Sequence, residues 1–330
     1  MNKKNKKLQI VIHIAFAIIV IGIIVILISK FFNFFDGEVI SGDDFNHVYE
    51  DAPETEDMDY ILPLIVRQED LKEDDGETTI VCFGNAPFAD DRGEEDNLCN
   101  MVADMTGATV YNCSIPGSYM TAEKVGFHSG ENPWDAFSFY WMISSFCLDN
   151  GGLYDDVFGR VPDIDRSLKE ITDLLLSIDF NDVDIVVIMY DGSDYLADRG
   201  IVTGNPTDTM HFTGAMTAGI EALQAAYPHI RIIVMSPTYA YGLEEDGSYV
   251  SSDIKLYESG HGHLSTYVVE QAKAAYTLSV SFVDNLYGTI HEDIASDYLT
   301  DHIHLNLEGR KLVAKRLVDA INQYPDPVVE

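Results

Sequence analysis

The chain has few positive charges, few cysteines and only two tryptophans. Its 20 Lys and Arg residues face 55 Asp and Glu residues, which gives a formal net charge of −35. A surface this acidic repels phosphate backbones, so neither DNA nor RNA is an expected partner. Four cysteines without CxxC spacing are too few for a disulfide scaffold, so we expect buried free thiols, with a bridge as the alternative outside the cytoplasm. They are Cys82, Cys99, Cys113 and Cys147.

The few basic residues are concentrated at the N-terminus. Residues 1–30 hold five of them and no acid, which leaves 15 bases against 55 acids in the rest of the chain. Residues 8–28 are apolar except for Gln9 and His13, and about 20 such residues span a bilayer as a helix. Lysines before this run favour a cytoplasmic N-terminus. We therefore predict a cytoplasmic basic tip (1–7), a transmembrane anchor (8–28) and an extracytoplasmic remainder at the cell membrane. A cleaved signal peptide is the alternative.

The segment 29–76 is acidic and lacks regular periodicity. It contains one short apolar stretch, 61–66, which is too short to span a membrane and is interrupted by Pro63. We interpret this segment as an acidic stalk that docks in part on a folded domain at 77–330.

Hydrophobic residues make up 46% of the chain, enough for a sizeable core. Short, continuously apolar runs alternate with stretches whose apolar residues recur every three or four positions, which predicts buried parallel strands alternating with helices. The expected fold is a three-layer α/β/α, flavodoxin-like domain with a mostly parallel five-stranded sheet. The predicted strands are 78–83, 109–112, 183–190, 230–235 and 279–283, and the helices are near 164–178, 216–227, 263–277 and after Asn306.

Polar or glycine-bearing turns follow three of these strands, and a fourth polar stretch precedes the last helix. Ligands of parallel α/β sheets bind at the carboxyl ends of the strands, so we expect all four segments to meet at one cleft. They are 84–87, 113–117, 191–194 and 301–304.

At these segments the chain resembles the SGNH (GDSL-type) hydrolases, a family of esterases and lipases, over roughly residues 78–323. The family's last block is Asp-x-x-His before the final helix, which is matched by Asp301 and His304. The resemblance implies that His304 is a general base oriented by Asp301. It also implies that Gly117 supplies an oxyanion-hole amide, as the glycine of the family's second block does.

Two other blocks depart from the family pattern. The family's Gly-Asp-Ser turn is here Gly84-Asn85-Ala86, so Ala86 occupies the position of the nucleophilic serine. The family's Gly-x-Asn-Asp block is here Asp-Gly-Ser-Asp, so Ser193 replaces the oxyanion-binding Asn and Asp194 keeps the final position. Ser114 is a further candidate for the substrate-binding side. Alanine has no nucleophilic atom, and loss of a triad nucleophile leaves only small residual catalysis.

Three functions remain open on these grounds. A hydrolase with altered chemistry would use water, or a displaced hydroxyl of Ser114, Ser118 or Ser193, activated by His304. A pseudoenzyme would keep the cleft to bind a cell-envelope glycan or an acylated small molecule or polymer. A structural ectodomain of a membrane complex would use neither the catalytic pair nor the ligand-binding cleft. We favour the second function, with weak or no esterase activity.

No cofactor or metal is expected. Two HxH pairs, at 261–263 and 302–304, and two acidic clusters, at 90–96 and 179–184, lack a recognisable full ligand set. Asp191 places a further carboxylate beside the presumed oxyanion position, which disfavours developing negative charge and favours a cationic or hydroxyl-rich ligand.

Aromatic residues are concentrated in 133–147, which includes Trp134 and Trp141. Their helical spacing is typical of core, but this segment follows the second block, so we keep a wall of the cleft as the alternative. A second aromatic stretch, from Tyr239 to Tyr249, is expected to form another edge of the cleft.

Overall fold

The computed structural model describes residues 58–73, 75–161, 163–252 and 263–329. The predicted basic tip, the predicted anchor and most of the predicted stalk lie outside these residues. Within the described ranges, no helix has the length and apolar character needed to cross a bilayer.

Strands and helices alternate along the described chain. The strands are β1 (Ile65–Val66), β2 (Thr79–Gly84), β3 (Thr109–Asn112), β4 (Ile185–Met189), β5 (Arg231–Met235), β6 (Gly242–Leu243), β7 (Tyr249–Val250), β8 (Ser281–Val283) and β9 (Val328–Val329). The α-helices are α1 (Ala86–Ala89), α2 (Leu98–Thr106), α3 (Phe139–Cys147), α4 (Gly152–Arg160), α5 (Arg166–Ser177), α6 (Ser193–Leu196), α7 (Phe212–Ala226), α8 (Leu264–Thr277), α9 (Ala295–Tyr298) and α10 (Leu307–Asn322). Short 3₁₀ helices cover Gln68–Asp70, Pro133–Phe137 and Glu292–Ile294.

Five of the strands form the central sheet, in the order β3-β2-β4-β5-β8, and every neighbouring pair is parallel. All five residues of β4 are buried, as continuous apolar strands covered on both faces should be. The predicted α/β fold with a parallel five-stranded sheet is therefore confirmed, and the strand ends differ from the predicted ones by one or two residues.

The helices pack in two groups. The chain runs from β2 outward to β3, then crosses back to β4 and continues to β5 and β8. Right-handed crossovers in opposite directions place their helices on opposite faces of the sheet. The contacts agree, since α2 packs against α10, while α7 packs against both α3 and α8.

The segment before β2 belongs to this fold. The backbones of Tyr60 and Phe282 exchange two hydrogen bonds of 3.0–3.1 Å, which covers the free edge of β8. Further along, β1 pairs in parallel with β9 near the C-terminus. Residues 60–66 therefore contact the folded domain, through the backbone of Tyr60 and through β1.

All four cysteines carry free thiols, and three of them are buried in the core. Burial raises the pKa of Cys147, to about 12. Among the residues that the structure describes, no group of three or more His, Cys, Asp or Glu side chains is placed to hold a metal ion. Cations pair with part of the acidic clusters, since Arg310 contacts Asp91 at 2.9 Å and Lys72 contacts Asp184 at 2.8 Å.

Candidate functional site

The four predicted segments meet at the carboxyl edge of the sheet. The amide of Asn85, after β2, donates to the carbonyl of Ser118 at 3.0 Å and to the carboxylate of Asp191 at 2.7 Å. The charges of Asp191 and Asp90 in turn act on the ring of His304. One site therefore joins the turns after β2, β3 and β4 to the segment before α10.

Asp301 and His304 form a hydrogen-bonded pair just before α10. Nδ1 of His304 lies 2.7 Å from one carboxylate oxygen of Asp301. The other oxygen accepts the backbone N–H groups of Ile303 and His304, at 2.9 and 2.8 Å. Asn306 caps α10 through a hydrogen bond to the N–H of Gly309, which fixes where the helix begins. The carboxylate is thus held by the backbone and in turn orients the imidazole.

The charges around His304 shift its titration. Burial alone would lower the pKa of the imidazole, but the hydrogen bond and charge of Asp301, with the charges of Asp90 and Asp191, raise it above its usual value. Partial burial would raise the pKa of Asp301, but the backbone N–H donors and the His304 ring lower it to about 2. The Asp301 carboxylate therefore stabilises the imidazolium form of His304.

Ala86 lies at the first position of the short helix α1, directly after β2. Gly84 ends the strand where a Cβ would come within 1.9 Å of the carbonyl oxygen of Met189, so only glycine fits there. Pro87 follows at a position suited to a helix start. The turn thus has the strand-to-helix geometry expected for a nucleophile, while the residue it carries has only a methyl group, 6% exposed.

Asn85 and Asp191 form a reciprocal pair. The Asn85 amide donates to the Asp191 carboxylate at 2.7 Å, and the Asn85 carbonyl oxygen accepts the backbone N–H of Asp191 at 2.9 Å. Both side chains are nearly inaccessible, and burial raises the pKa of Asp191. Compared with the family pattern, the carboxylate has moved from the first block to the third. An amide now faces it, which avoids two adjacent buried carboxylates.

Gly117 lies at the rim of the site in a left-handed conformation, with φ of +69°. Ser193 begins α6 and its backbone N–H donates to Asp191 at 2.9 Å. The side chain of Ser193 also hydrogen-bonds the Asp191 carboxylate. The hydroxyl predicted at the oxyanion position is therefore engaged with a negative charge.

Asp194 does not face the site. Its carboxylate accepts the backbone N–H groups of Met120 and Thr121, at 2.8 and 3.1 Å, and the Thr121 hydroxyl at 2.7 Å. Complete burial raises its pKa to about 6 although these hydrogen bonds act in the opposite direction. The prediction of a substrate-binding role is corrected: Asp194 fixes the loop that follows Gly117.

Ser114 also lies away from the site. It is fully buried, and its hydroxyl donates to the Asn112 side chain and contacts the Arg92 guanidinium at 3.1 Å. The hydroxyl of Ser118 donates to the carbonyl of Ile115 at 2.9 Å. Among the described residues, no hydroxyl or thiol is hydrogen-bonded to the His304 ring. The displaced nucleophiles considered from the sequence are thus occupied elsewhere.

Asp90 was missed as a site residue, because the sequence placed it only in an acidic cluster. Burial raises the pKa of Asp90, and the charge of Asp191 raises it further, while His304 lowers it. Its position four residues after Ala86, at the end of α1, was the available signal. The charges of three carboxylates, those of Asp301, Asp90 and Asp191, thus act on one imidazole.

The tyrosine-rich stretch lies beside the site, as predicted. The backbone N–H of Tyr241 donates to the carbonyl of His302 at 3.0 Å, and the two rings lie 6.1 Å apart. Tyr249 contacts Tyr241 at 4.9 Å between ring centroids and donates to Glu292. This side of the site is aromatic with a further carboxylate.

The arrangement can orient and protonate a ligand, but within the described part of the chain no hydroxyl or thiol is hydrogen-bonded to His304 for covalent attack. His304 can hold or move a proton, the surrounding carboxylates can accept hydrogen bonds, and the methyl of Ala86 leaves an apolar position where a nucleophile would lie.

Comparison with known proteins places this arrangement in a known fold. No family model and no curated protein matches the chain. Solved structures do match, including a protein from Lactobacillus plantarum that is 15% identical, with a TM-score of 0.50 over 76% of this chain and 98% of that one. A protein described as an SGNH hydrolase from Slackia heliotrinireducens is 16% identical (TM-score 0.41, 74% of this chain and 99% of that one). A carbohydrate acetylesterase from Sinorhizobium meliloti is 12% identical (TM-score 0.44, 74% and 99%). At these identities the likeness concerns the fold alone.

Proposed function

We propose that this chain is a disarmed SGNH-type domain that binds an acylated or glycan ligand of the cell envelope, with weak or no esterase activity. The observation that carries the proposal is the combination at the site: the Asp301–His304 pair is intact, while Ala86 stands at the start of α1 and none of the described hydroxyls is hydrogen-bonded to the His304 ring.

The charges favour binding over hydrolysis. The charges of Asp301, Asp90 and Asp191 raise the pKa of His304 and so favour its protonated form. The same carboxylates would repel the oxyanion that forms when an ester is attacked. They suit a ligand that donates hydrogen bonds, such as a polyol, or one that carries a positive charge.

We also propose that the domain is held at the outer side of the cell membrane by the anchor at 8–28. The support is the apolar run of that segment, the lysines before it and the acidic remainder. A fusion of alkaline phosphatase to the C-terminus checks this topology, since it is active only when exported.

The test of the disarmed site uses the full-length chain, purified in mild detergent, with a fluorophosphonate probe and short-chain nitrophenyl esters. We expect no labelling and background turnover for the wild type, and labelling of Ala86→Ser. The double variant Ala86→Ser/His304→Ala is the matched control and should lose the label, because the base is absent.

Wild-type turnover that disappears in His304→Ala would instead support the alternative, an active esterase that uses water or a displaced hydroxyl. If Ala86→Ser folds, as judged by its thermal unfolding, and still fails to label, the base side is not competent. The proposal of a preserved, disarmed site is then wrong, and a structural ectodomain is favoured.

A further inference from the structure

A cavity of about 310 Å³ opens beside Gly117. Its walls come from residues 115–123 and 131–138 together with Arg199. Neither Asp301 nor His304 lines it. Its volume lies at the lower end of the range of small-molecule sites, about 300–1,000 Å³, so it suits one compact unit of a ligand.

Trp134 forms an exposed aromatic part of the wall. Its side chain is 58% exposed, whereas Phe137, which lies 5.8 Å away between ring centroids, is buried. Phe137 in turn stacks on Tyr154 at 6.1 Å and contacts Phe158. The core interpretation of this aromatic segment therefore holds for Phe137 but not for Trp134. An indole supported from behind and open to a cavity presents a flat apolar surface of the kind that stacks on a sugar ring.

Polar groups line the cavity in a fixed arrangement. The guanidinium of Arg199 lies 4.6 Å from the centroid of the Tyr119 ring and 3.2 Å from the Glu123 carboxylate. The other carboxylate oxygen of Glu123 accepts a hydrogen bond from Asn132. Donors and acceptors are thus presented side by side, which matches adjacent hydroxyl groups of a sugar.

The loop that carries these groups is also fixed. The buried carboxylate of Asp135 accepts the backbone N–H groups of Glu123 and Lys124, at 2.8 and 3.2 Å. A preorganised loop reduces the entropy lost when a ligand binds. Glu123, Glu131 and Asp135 outnumber Arg199, so the cavity carries excess negative charge if all are ionised.

The cavity adjoins the disarmed site through one residue. Ser118 lines the cavity, and its carbonyl accepts the amide of Asn85, the residue before Ala86. A ligand unit in the cavity would therefore place its neighbouring unit or substituent near Ala86.

We propose that this cavity is a subsite for a neutral or amine-bearing sugar unit, which stacks on Trp134 and hydrogen-bonds to the Arg199–Glu123 pair. The inference rests on the proposed function, since it names the ligand class of the binding domain. It selects against anionic sugars because their carboxylates would meet Glu123 and Glu131.

Binding to three tetrasaccharides tests the subsite: N-acetylglucosamine tetramer, glucosamine tetramer and galacturonic acid tetramer. Isothermal titration with the full-length chain should show binding of either or both of the first two, and much weaker binding of the anionic third. Trp134→Ala should weaken binding at least about tenfold, and Trp134→Phe by less, because a stacking ring remains. Tyr276→Ala is the matched control: this ring is 66% exposed, does not line the cavity, and should not matter.

The outcomes separate the subsite from the disarmed site. Sugar binding is measured on the wild-type site, so a loss confined to Trp134 variants, with Tyr276→Ala unchanged, supports the subsite whatever the labelling of Ala86→Ser shows. Binding of none of the three probes overturns the subsite, as does equal binding of the anionic probe. Sugar binding by Trp134→Ala that equals wild-type binding also overturns the subsite.

Discussion

The two sides of the candidate site differ in how closely they match the SGNH sequence pattern. On the base side, Asp301 accepts two backbone N–H groups and orients His304 through a 2.7 Å contact. On the nucleophile side, the strand-to-helix turn keeps its shape around Ala86, yet the reactive atom is missing. The backbone geometry of the turn does not depend on the reactive side chain, because Gly84 and Pro87 determine its shape and no serine hydroxyl is needed.

The charged residues on the nucleophile side also differ from the SGNH sequence pattern, whereas Asp301 and His304 on the base side match it. Asn85 and Asp191 have replaced a carboxylate and a glycine of the family pattern and now satisfy each other. A buried Asp191 raises the pKa of the nearby His304, so a change on one side alters the titration of the other.

The largest expected effect comes from restoring the nucleophile. Ala86→Ser should raise nitrophenyl acetate turnover at least about 100-fold above the wild type, because the orienting pair is present. Adding Ser193→Asn should raise it about tenfold more, since an amide can reach an oxyanion that the shorter hydroxyl, held by Asp191, does not. Steady-state kinetics measures both. If neither variant increases nitrophenyl acetate turnover, the Asp301–His304 side of the site is not functional.

The next effect concerns the exchanged pair. Asn85→Asp should lower the free energy of unfolding by about 3 kcal/mol at pH 8, because two buried carboxylates would then adjoin. The double variant Asn85→Asp/Asp191→Asn should regain most of this loss, since amide and carboxylate are only exchanged. Urea unfolding measures the values, and Asn205→Asp, at an exposed position, is the control. Equal loss in the single and double variants would argue against coupling of the pair.

Asp194 gives a prediction about the scaffold that both sides share. Asp194→Asn should destabilise the fold by about 1–3 kcal/mol, because one amide oxygen must replace two carboxylate oxygens facing N–H donors. Burial raises the pKa of the folded Asp194 carboxyl to about 6, so the contribution of Asp194 to stability falls as pH rises from its usual titration range to about 6. The loss on substitution should therefore be about 1 kcal/mol larger at pH 5 than at pH 7. Asp155→Asn, on the exposed face of α4, should show no such difference.

The smallest effect concerns the base side alone. Asp301→Asn should lower the pKa of His304, which proton NMR of the ring measures with the other histidines as references. Because the folded pKa of His304 is raised, its stabilising contribution is present below about pH 6.5 and is lost as pH rises through the folded value. The pair is partly exposed, so this contribution is only about 0.5 kcal/mol. An unchanged His304 pKa would show that the hydrogen bond is not formed in solution.

Local sequence was enough to predict the strands and the location of the site. Continuous apolar runs such as β4 can be predicted from the sequence because strands buried on both faces need no polar positions. The Asp301–His304 spacing is readable because three residues separate the partners and the helix cap at Asn306 fixes where the helix begins. The packed segment before β2 was less readable, since edge pairing through Tyr60 depends on a strand more than 200 residues away.

Side-chain direction was not predictable in the same way. Ser114 and Asp194 follow strands that end at the site, and both turn away from it, toward Arg92 and toward the 120–121 loop. Asp90 turns toward it. Residues adjacent in the sequence do not determine the direction of these side chains. Their direction depends on where hydrogen-bond partners lie, because buried polar groups need such partners.

The sequence alone therefore determined the α/β order, the four site segments and the absence of a serine at position 86, because each depends on local pattern or residue identity. Only the tertiary structure decided that Asn85 satisfies Asp191, that the charges of three carboxylates act on His304, and that Trp134 is exposed while Trp141 packs against the core. The physical reason is distance along the chain: these contacts join residues from different turns, which the sheet brings together at its carboxyl edge.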